Sequence, residues 1–179
     1  MILVVAATAD ELRGADGAAT LVCGVGPVEA AARTACALAA RPADAVLHVG
    51  IAGAADFAEP AFVIGSEALY CDADDPRWIE LRAPADPGLV AAARRALPRA
   101  RVAPIGTTAR VGGSTGCDVE AMEGYAVLRA AALAGIPAVE VRVVANAVGE
   151  PDRSRWRIEE AKDVLARGLP ALLEAVTGA

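Results

Sequence analysis

The chain has 179 residues, a formal net charge of −6, 55% hydrophobic but only 3% aromatic residues, and one histidine. That length suits a single domain, residues 1–179, with a sizeable core, and is short for two. The acidic balance with scattered arginines excludes the basic footprint of a nucleic-acid binder, and no apolar run reaches the about 18 to 20 residues that span a bilayer.

The opening "MILVVAATADE" predicts a strand near residues 2–7 running straight into an acidic turn at Glu11. It carries no basic region and no cleavage site, so a soluble, cytoplasmic chain is expected. A second strand near 18–23 leads to "GVGPVEAAA", and Pro27 sits where the first turn of a helix at about 27–41 tolerates a missing N–H. This stretch differs from a dinucleotide fingerprint, because Glu29 stands where the third glycine is needed and no acidic residue closes the following strand. The glycines are read as a tight turn feeding the helix.

A strand near 45–50 ends in "HVGIAGA". Here Gly50, Ile51, Ala52 and Gly53 form a candidate ligand loop whose backbone N–H groups would face an anion or a sugar oxygen. His48, inside the strand, is assigned a buried structural role, and with one histidine neither a metal centre nor another cofactor is expected. A strand near 61–70 leads into "CDADDPRW", the most polar stretch and an expected surface loop. Cys23, Cys36, Cys71 and Cys117 lack metal-type spacing and are read as reduced core residues.

Next come a helix at about 87–97 opened by Pro87, strands near 101–107 and 117–120, and a helix at about 122–134 stopped by Gly135 and Pro137. A strand near 137–145 and a helix at about 155–177 close the chain. Val- and Ile-rich runs alternating with Ala-rich helical segments predict an α/β layer structure around a largely parallel, buried sheet.

In "AVEVRVVAN" a period of two places Glu140, Arg142, Val144 and Asn146 on one face, with Glu140 and Arg142 read as a partly buried ion pair. Asn146 lies at the strand's C-terminal end, where open α/β sheets place ligands. Glu123 in "VEAMEG" has a bland explanation as an acid in a first helical turn, and Glu11 one as a turn residue. Glu11, Glu123 and Asn146 are nevertheless expected around one crevice, since all three sit at the ends of predicted strands.

Together, "AATADEL", "GVGPVEAA", "VGIAGA", "VEAMEG" and "NAVGEPDRSRW" resemble the nucleoside phosphorylase and nucleosidase superfamily and, within it, the futalosine hydrolase family. The resemblance implies a three-layer α/β/α phosphorylase-like fold with a central mixed sheet. It also implies hydrolysis of the N-glycosidic bond of a 6-oxopurine nucleoside, futalosine giving hypoxanthine and dehypoxanthine futalosine in menaquinone biosynthesis. Adenine-directed relatives carry an aspartate where this chain has Asn146, and an amide suits a 6-oxopurine better.

By the same resemblance, Glu11 orients or deprotonates the attacking water, and Glu123, with Met122 packed beneath it, accepts hydrogen bonds from the ribose hydroxyls. A small-molecule nucleoside partner and a homodimer or higher homo-oligomer follow. The alternatives are a methylthioadenosine/S-adenosylhomocysteine-type or other purine nucleosidase, and a non-catalytic purine-nucleoside-binding relative. The chain is shorter than the family, notably after Glu11 and in "ARVGGSTG", and has no aromatic between Trp78 and Tyr125. Phe57, Tyr70 or a neighbouring subunit are therefore the candidates to cover the base.

Overall fold

The computed structural model describes residues 1–111 and 115–179, so part of the "ARVGGSTG" segment lies outside the described residues. The elements run β1 (Ile2–Ala6), β2 (Ala19–Val22), α1 (Pro27–Ala40), β3 (Ala45–Ala54), β4 (Phe62–Tyr70), β5 (Arg82–Pro84) and α2 (Pro87–Ala96). After these come β6 (Arg101–Thr107), β7 (Val119–Ala121), α3 (Gly124–Leu133), β8 (Ala138–Ala147) and α4 (Ile158–Thr177). Single 3-10 turns at Ala9–Leu12 and Arg153–Arg155 precede β2 and α4.

The strands form one mixed sheet in the order β2-β1-β3-β7-β6-β4-β5, with β8 pairing both β3 and β4. Helix α1 packs on α3 and α2 on α4, which gives three layers with the sheet in the middle. Local chemistry explains the helix starts. Pro27 and Pro87 open α1 and α2, and the Asp86 carboxylate accepts from the Leu89 amide at 3.0 Å, satisfying a donor that the helix itself leaves unpaired.

Strand β8 is the centre of the molecule. Val139, Val141 and Val143 are fully buried and join Leu165, Leu169 and Leu172 of α4 in the main core. The opposite face of β8 carries Glu140 and Arg142, also buried. Charged groups there are tolerable only with partners, because an unpaired buried charge costs several kcal/mol by order of magnitude.

The alternation breaks at one place, and Asn146 leaves the face of Glu140, Arg142 and Val144 on which the period of two had set it. Ala52 pairs with Val144 but Gly53 pairs with Asn146, so Ala145 is bulged out of the ladder. Its carbonyl accepts instead from the Arg157 amide at 2.7 Å, tying the start of α4 to the end of β8.

Two further expectations are corrected, and one strand was not expected. The stretch from Gly50 to Gly53 is not a loop: β3 continues to Ala54 because β8 and β7 both supply hydrogen-bonding partners there. The short strand β5, which pairs with β4, has only three residues and gives no readable period. The cysteines are free, but only Cys23 is in the core; Cys36 is exposed and Cys71 and Cys117 are half-buried.

Candidate active site

The 3-10 turn after β1 folds Glu11 back under the sheet, where it is only 5% exposed. Its Oε2 accepts from the Thr8 amide at 3.0 Å and the Thr8 hydroxyl at 2.8 Å, and its Oε1 accepts from the Ile51 amide at 3.0 Å. A carboxylate offers about four acceptor positions, so these bonds fix the group and leave roughly one free.

Glu123 immediately precedes α3 rather than lying in it, and its side chain makes no cap bond to that helix. Glu123 is therefore not a capping acceptor, and its carboxylate is held by partners outside the helix. Its Oε1 accepts from the Gly26 amide at 3.0 Å and its Oε2 from Arg142 Nη2 at 3.4 Å. The turn "GVGP" thus holds a carboxylate 97 residues away, which its local sequence does not announce. Gly26 has φ near +90°, a conformation that favours glycine.

Arg142 organises the acids. Its Nε donates to Glu140 Oε1 at 2.7 Å, its Nη1 to the Ile51 carbonyl at 3.4 Å, and its Nη2 also meets His48 Nε2. A guanidinium only donates, so Nε2 of His48 accepts, and the ring proton sits on Nδ1, which donates to the Val5 carbonyl at 2.9 Å. Burial first, and then the Arg142 charge, hold the His48 pKa well below the usual histidine value. Burial also pushes the Glu140 carboxyl up, against the opposing pull of Arg142. Glu140 Oε2 is buried and has no hydrogen-bond partner among the described residues.

Glu11, Ile51, Ala52, Gly53, Met122, Glu123 and Asn146 all line one cavity of about 330 Å³. That volume lies at the lower end of the range for small-molecule sites. Gly50 is not among the lining residues. A Cβ there would collide with Arg142 Nη1 and lie 2.8 Å from Glu11 Oε1, so glycine at this point lets the guanidinium and the carboxylate pass close to the strand. Asn146 is half-buried, and its Nδ2 donates to the Ala147 carbonyl at 2.9 Å, leaving a second N–H and the amide oxygen.

Several lining residues escaped the sequence reading. Trp156 reaches the cavity, its indole N–H donating to the Glu150 carbonyl at 3.1 Å while the Arg153 guanidinium lies 5.6 Å from the ring centre. Phe57 and Tyr70 do not: Phe57 packs on a secondary core cluster, and Tyr70 stacks on Tyr125 at 5.1 Å. Glu120 also lines the cavity at 8% exposure, with Oε2 accepting from the Thr115 amide at 3.1 Å. Its place two residues before Met122 gave no periodic signal, because β7 is three residues long. Lys162 lines the cavity too, paired with Asp10 at 3.4 Å and Glu159 at 2.9 Å.

The family model described as "Phosphorylase superfamily" matches residues 11–179. The chain is 37% identical to the futalosine hydrolase of Streptomyces coelicolor over 90% of its own length and 77% of that protein's. It is 39% identical to the futalosine hydrolase of Thermus thermophilus over a shorter stretch, 36% of this chain and 28% of the relative. Among solved structures it is similar to the S-adenosylhomocysteine nucleosidase of Streptococcus pyogenes in complex with 5-methylthiotubericidin. That match has a TM-score of 0.85 at 23% identity and covers 97% of this chain and 95% of that one. It is similar also to the native futalosine hydrolase of Helicobacter pylori, with a TM-score of 0.86 at 14% identity and 97% of each chain covered.

Proposed function

The chain belongs to the phosphorylase superfamily, and from that membership we propose that it hydrolyses the N-glycosidic bond of a 6-oxopurine nucleoside, futalosine first. One observation carries the reading: two buried carboxylates with acceptor positions to spare, Glu11 and Glu123, line the same cavity as the amide of Asn146.

Breaking the bond develops positive charge on the ribose and negative charge on the departing purine, so both ends need stabilisation and a water needs placing. Glu123 has two of its roughly four acceptor positions occupied, by Gly26 and Arg142, which leaves room for two ribose hydroxyls. Its negative charge favours the cationic sugar. Glu11, with three donors fixing it, turns its remaining lone pair to the attacking water.

At the other end, the Asn146 amide donates to the ring nitrogen or the 6-oxygen of hypoxanthine as it leaves. Met122 packs beside the ribose, and Trp156 supplies an aromatic wall. Relatives of known name support the substrate: the Streptomyces coelicolor protein, similar over most of this chain, is a futalosine hydrolase. That activity would place the protein in menaquinone biosynthesis, in the cytoplasm. Among the described residues no helix is long and apolar enough to cross a membrane. A homodimer fits the exposed apolar residues Val25, which lines the cavity, and Val28 in the first turn of α1, both of which a second copy would cover.

The test is a chromatographic assay of products from futalosine and from methylthioadenosine. Hypoxanthine release from futalosine is expected, and release of adenine alone would refute the reading.

A further inference from the structure

Gly53 has two partners in the sheet. On one side it is in register with Asn146 of β8 and on the other with Glu120 of β7. Residues in register across neighbouring strands share a face, and a Cβ built on Gly53 would indeed lie 3.0 Å from Asn146 Nδ2. Since strands are spaced by about 4.8 Å, the Cα atoms of Glu120 and Asn146 stand about 10 Å apart with no side chain between them. All three residues line the cavity. The fold has therefore built a slot with an amide on one wall and a carboxylate on the other.

The carboxylate is held in place from behind. Glu120 is also in register with Gly106 of β6, and the space above that second glycine is filled by Thr115 and Cys117. The Thr115 amide donates to Glu120 Oε2. Oε1 has no hydrogen-bond partner among the described residues, although the side chain is more than nine-tenths buried and faces the cavity. An acceptor that opens on the cavity is free to take a donor from a ligand, and a ligand that filled the space without supplying one would desolvate it at a cost of about 1–3 kcal/mol, more when it is charged.

The chemistry of the base says which donor. Purines with a 6-oxo group carry a proton on N1, whereas 6-amino purines have a lone pair there. An ionised carboxylate accepts and cannot donate, so it attracts the first kind and repels the second. Resting on the reading of this cavity as a 6-oxopurine site, we infer that Glu120 selects the base by accepting a hydrogen bond from N1–H while Asn146 grips the adjoining O6/N7 edge. Glu120 is a specificity-determining residue that neither promotes the departure of the base nor touches the water. The short spacing in "EAME" puts it beside Met122 and Glu123, so one segment reads both the base and the sugar.

The experiment is calorimetric titration of the purified protein and its Glu120→Gln and Glu120→Ala variants with hypoxanthine, 1-methylhypoxanthine and adenine. Specificity constants for futalosine and its 6-amino counterpart are measured beside it. The wild type should bind hypoxanthine at least about tenfold more tightly than either other base, the effect of one charged hydrogen bond. In both variants that ratio should fall toward unity, and Glu120→Gln, whose amide can donate, should gain on adenine and on the 6-amino nucleoside.

A hypoxanthine preference that survives in folded variants overturns the role of Glu120 and leaves the 6-oxopurine reading standing. A wild type that prefers adenine overturns the 6-oxopurine reading itself, and this inference with it. Should the variants fail to fold, the wild type decides alone: equal affinity for hypoxanthine and 1-methylhypoxanthine rules out an N1–H acceptor.

Discussion

Arg142 Nη2 lies 3.4 Å from Glu123 Oε2 while Nε of the same guanidinium bonds Glu140 at 2.7 Å, so one buried cation links a carboxylate that faces the cavity to one that does not. Both Arg142 and Glu140 are at most 1% exposed. The charges of Glu140, Glu123 and Glu11 outweigh the cost of burial and keep Arg142 protonated.

Removing one partner of a buried pair leaves the other uncompensated. Arg142→Met should destabilise the protein by about 3–5 kcal/mol, and Glu140→Met in the same chain should restore part of it. Urea unfolding of the single and double variants checks this. A single variant as stable as the wild type would show that the pair contributes nothing to the fold.

Glu11→Gln keeps the size of the side chain but removes its charge. Turnover of futalosine should fall about 10²- to 10⁴-fold with hypoxanthine affinity largely retained, as expected when a group assists the attack of water rather than the binding of product. Steady-state kinetics beside calorimetry separates the two. Parallel loss of binding and turnover would place Glu11 in binding instead.

Gly53→Ala puts a methyl group into the slot, 3.0 Å from Asn146 Nδ2 and 3.5 Å from Val148 Cγ2. The half-buried amide can shift by a few tenths of an ångström, so the thermal midpoint should change little. Hypoxanthine affinity should drop by about tenfold or more, because the base and the methyl group compete for the same space. Unchanged affinity would mean that the base lies elsewhere in the cavity.

His48 is the single histidine, so its imidazole gives one resolved signal in an NMR titration. That signal should stay in the neutral form as pH falls through 6.5, since burial and Arg142 depress its pKa. Depression in the folded state means that stability is present above about pH 6.5 and is lost as pH falls toward the folded value, with a slope of up to about 1.4 kcal/mol per pH unit. Glu140 acts oppositely: its raised pKa favours the fold at low pH and loses that contribution as pH rises above the usual carboxylate range. Urea unfolding across pH 5.5 to about 7.5 in the wild type and in His48→Gln isolates the histidine contribution.

Much of the architecture was legible in the chain. Helices α1 and α2 start at Pro27 and Pro87, where the ring removes an N–H that has no partner anyway. The valines of β8 declare a buried strand because their period is local. The pairing of Glu140 with Arg142, two residues apart on one face, follows from the same period. Trp156 was visible in the quoted "NAVGEPDRSRW", but its arrival at the cavity was not, because a turn and a bulge intervene.

Sequence by itself determined the elements and the chemical types at their ends, since caps, prolines and two-residue periods act within a few residues. Only the tertiary structure decided which group faces which. The Gly26 amide on Glu123 and the Ile51 amide on Glu11 join residues 97 and 40 positions apart, and Gly53 sets Glu120 across from Asn146 by pairing with both from a distant part of the chain. Strand order and the bulge at Ala145 set those meetings, and neither leaves a mark in any short stretch of the chain.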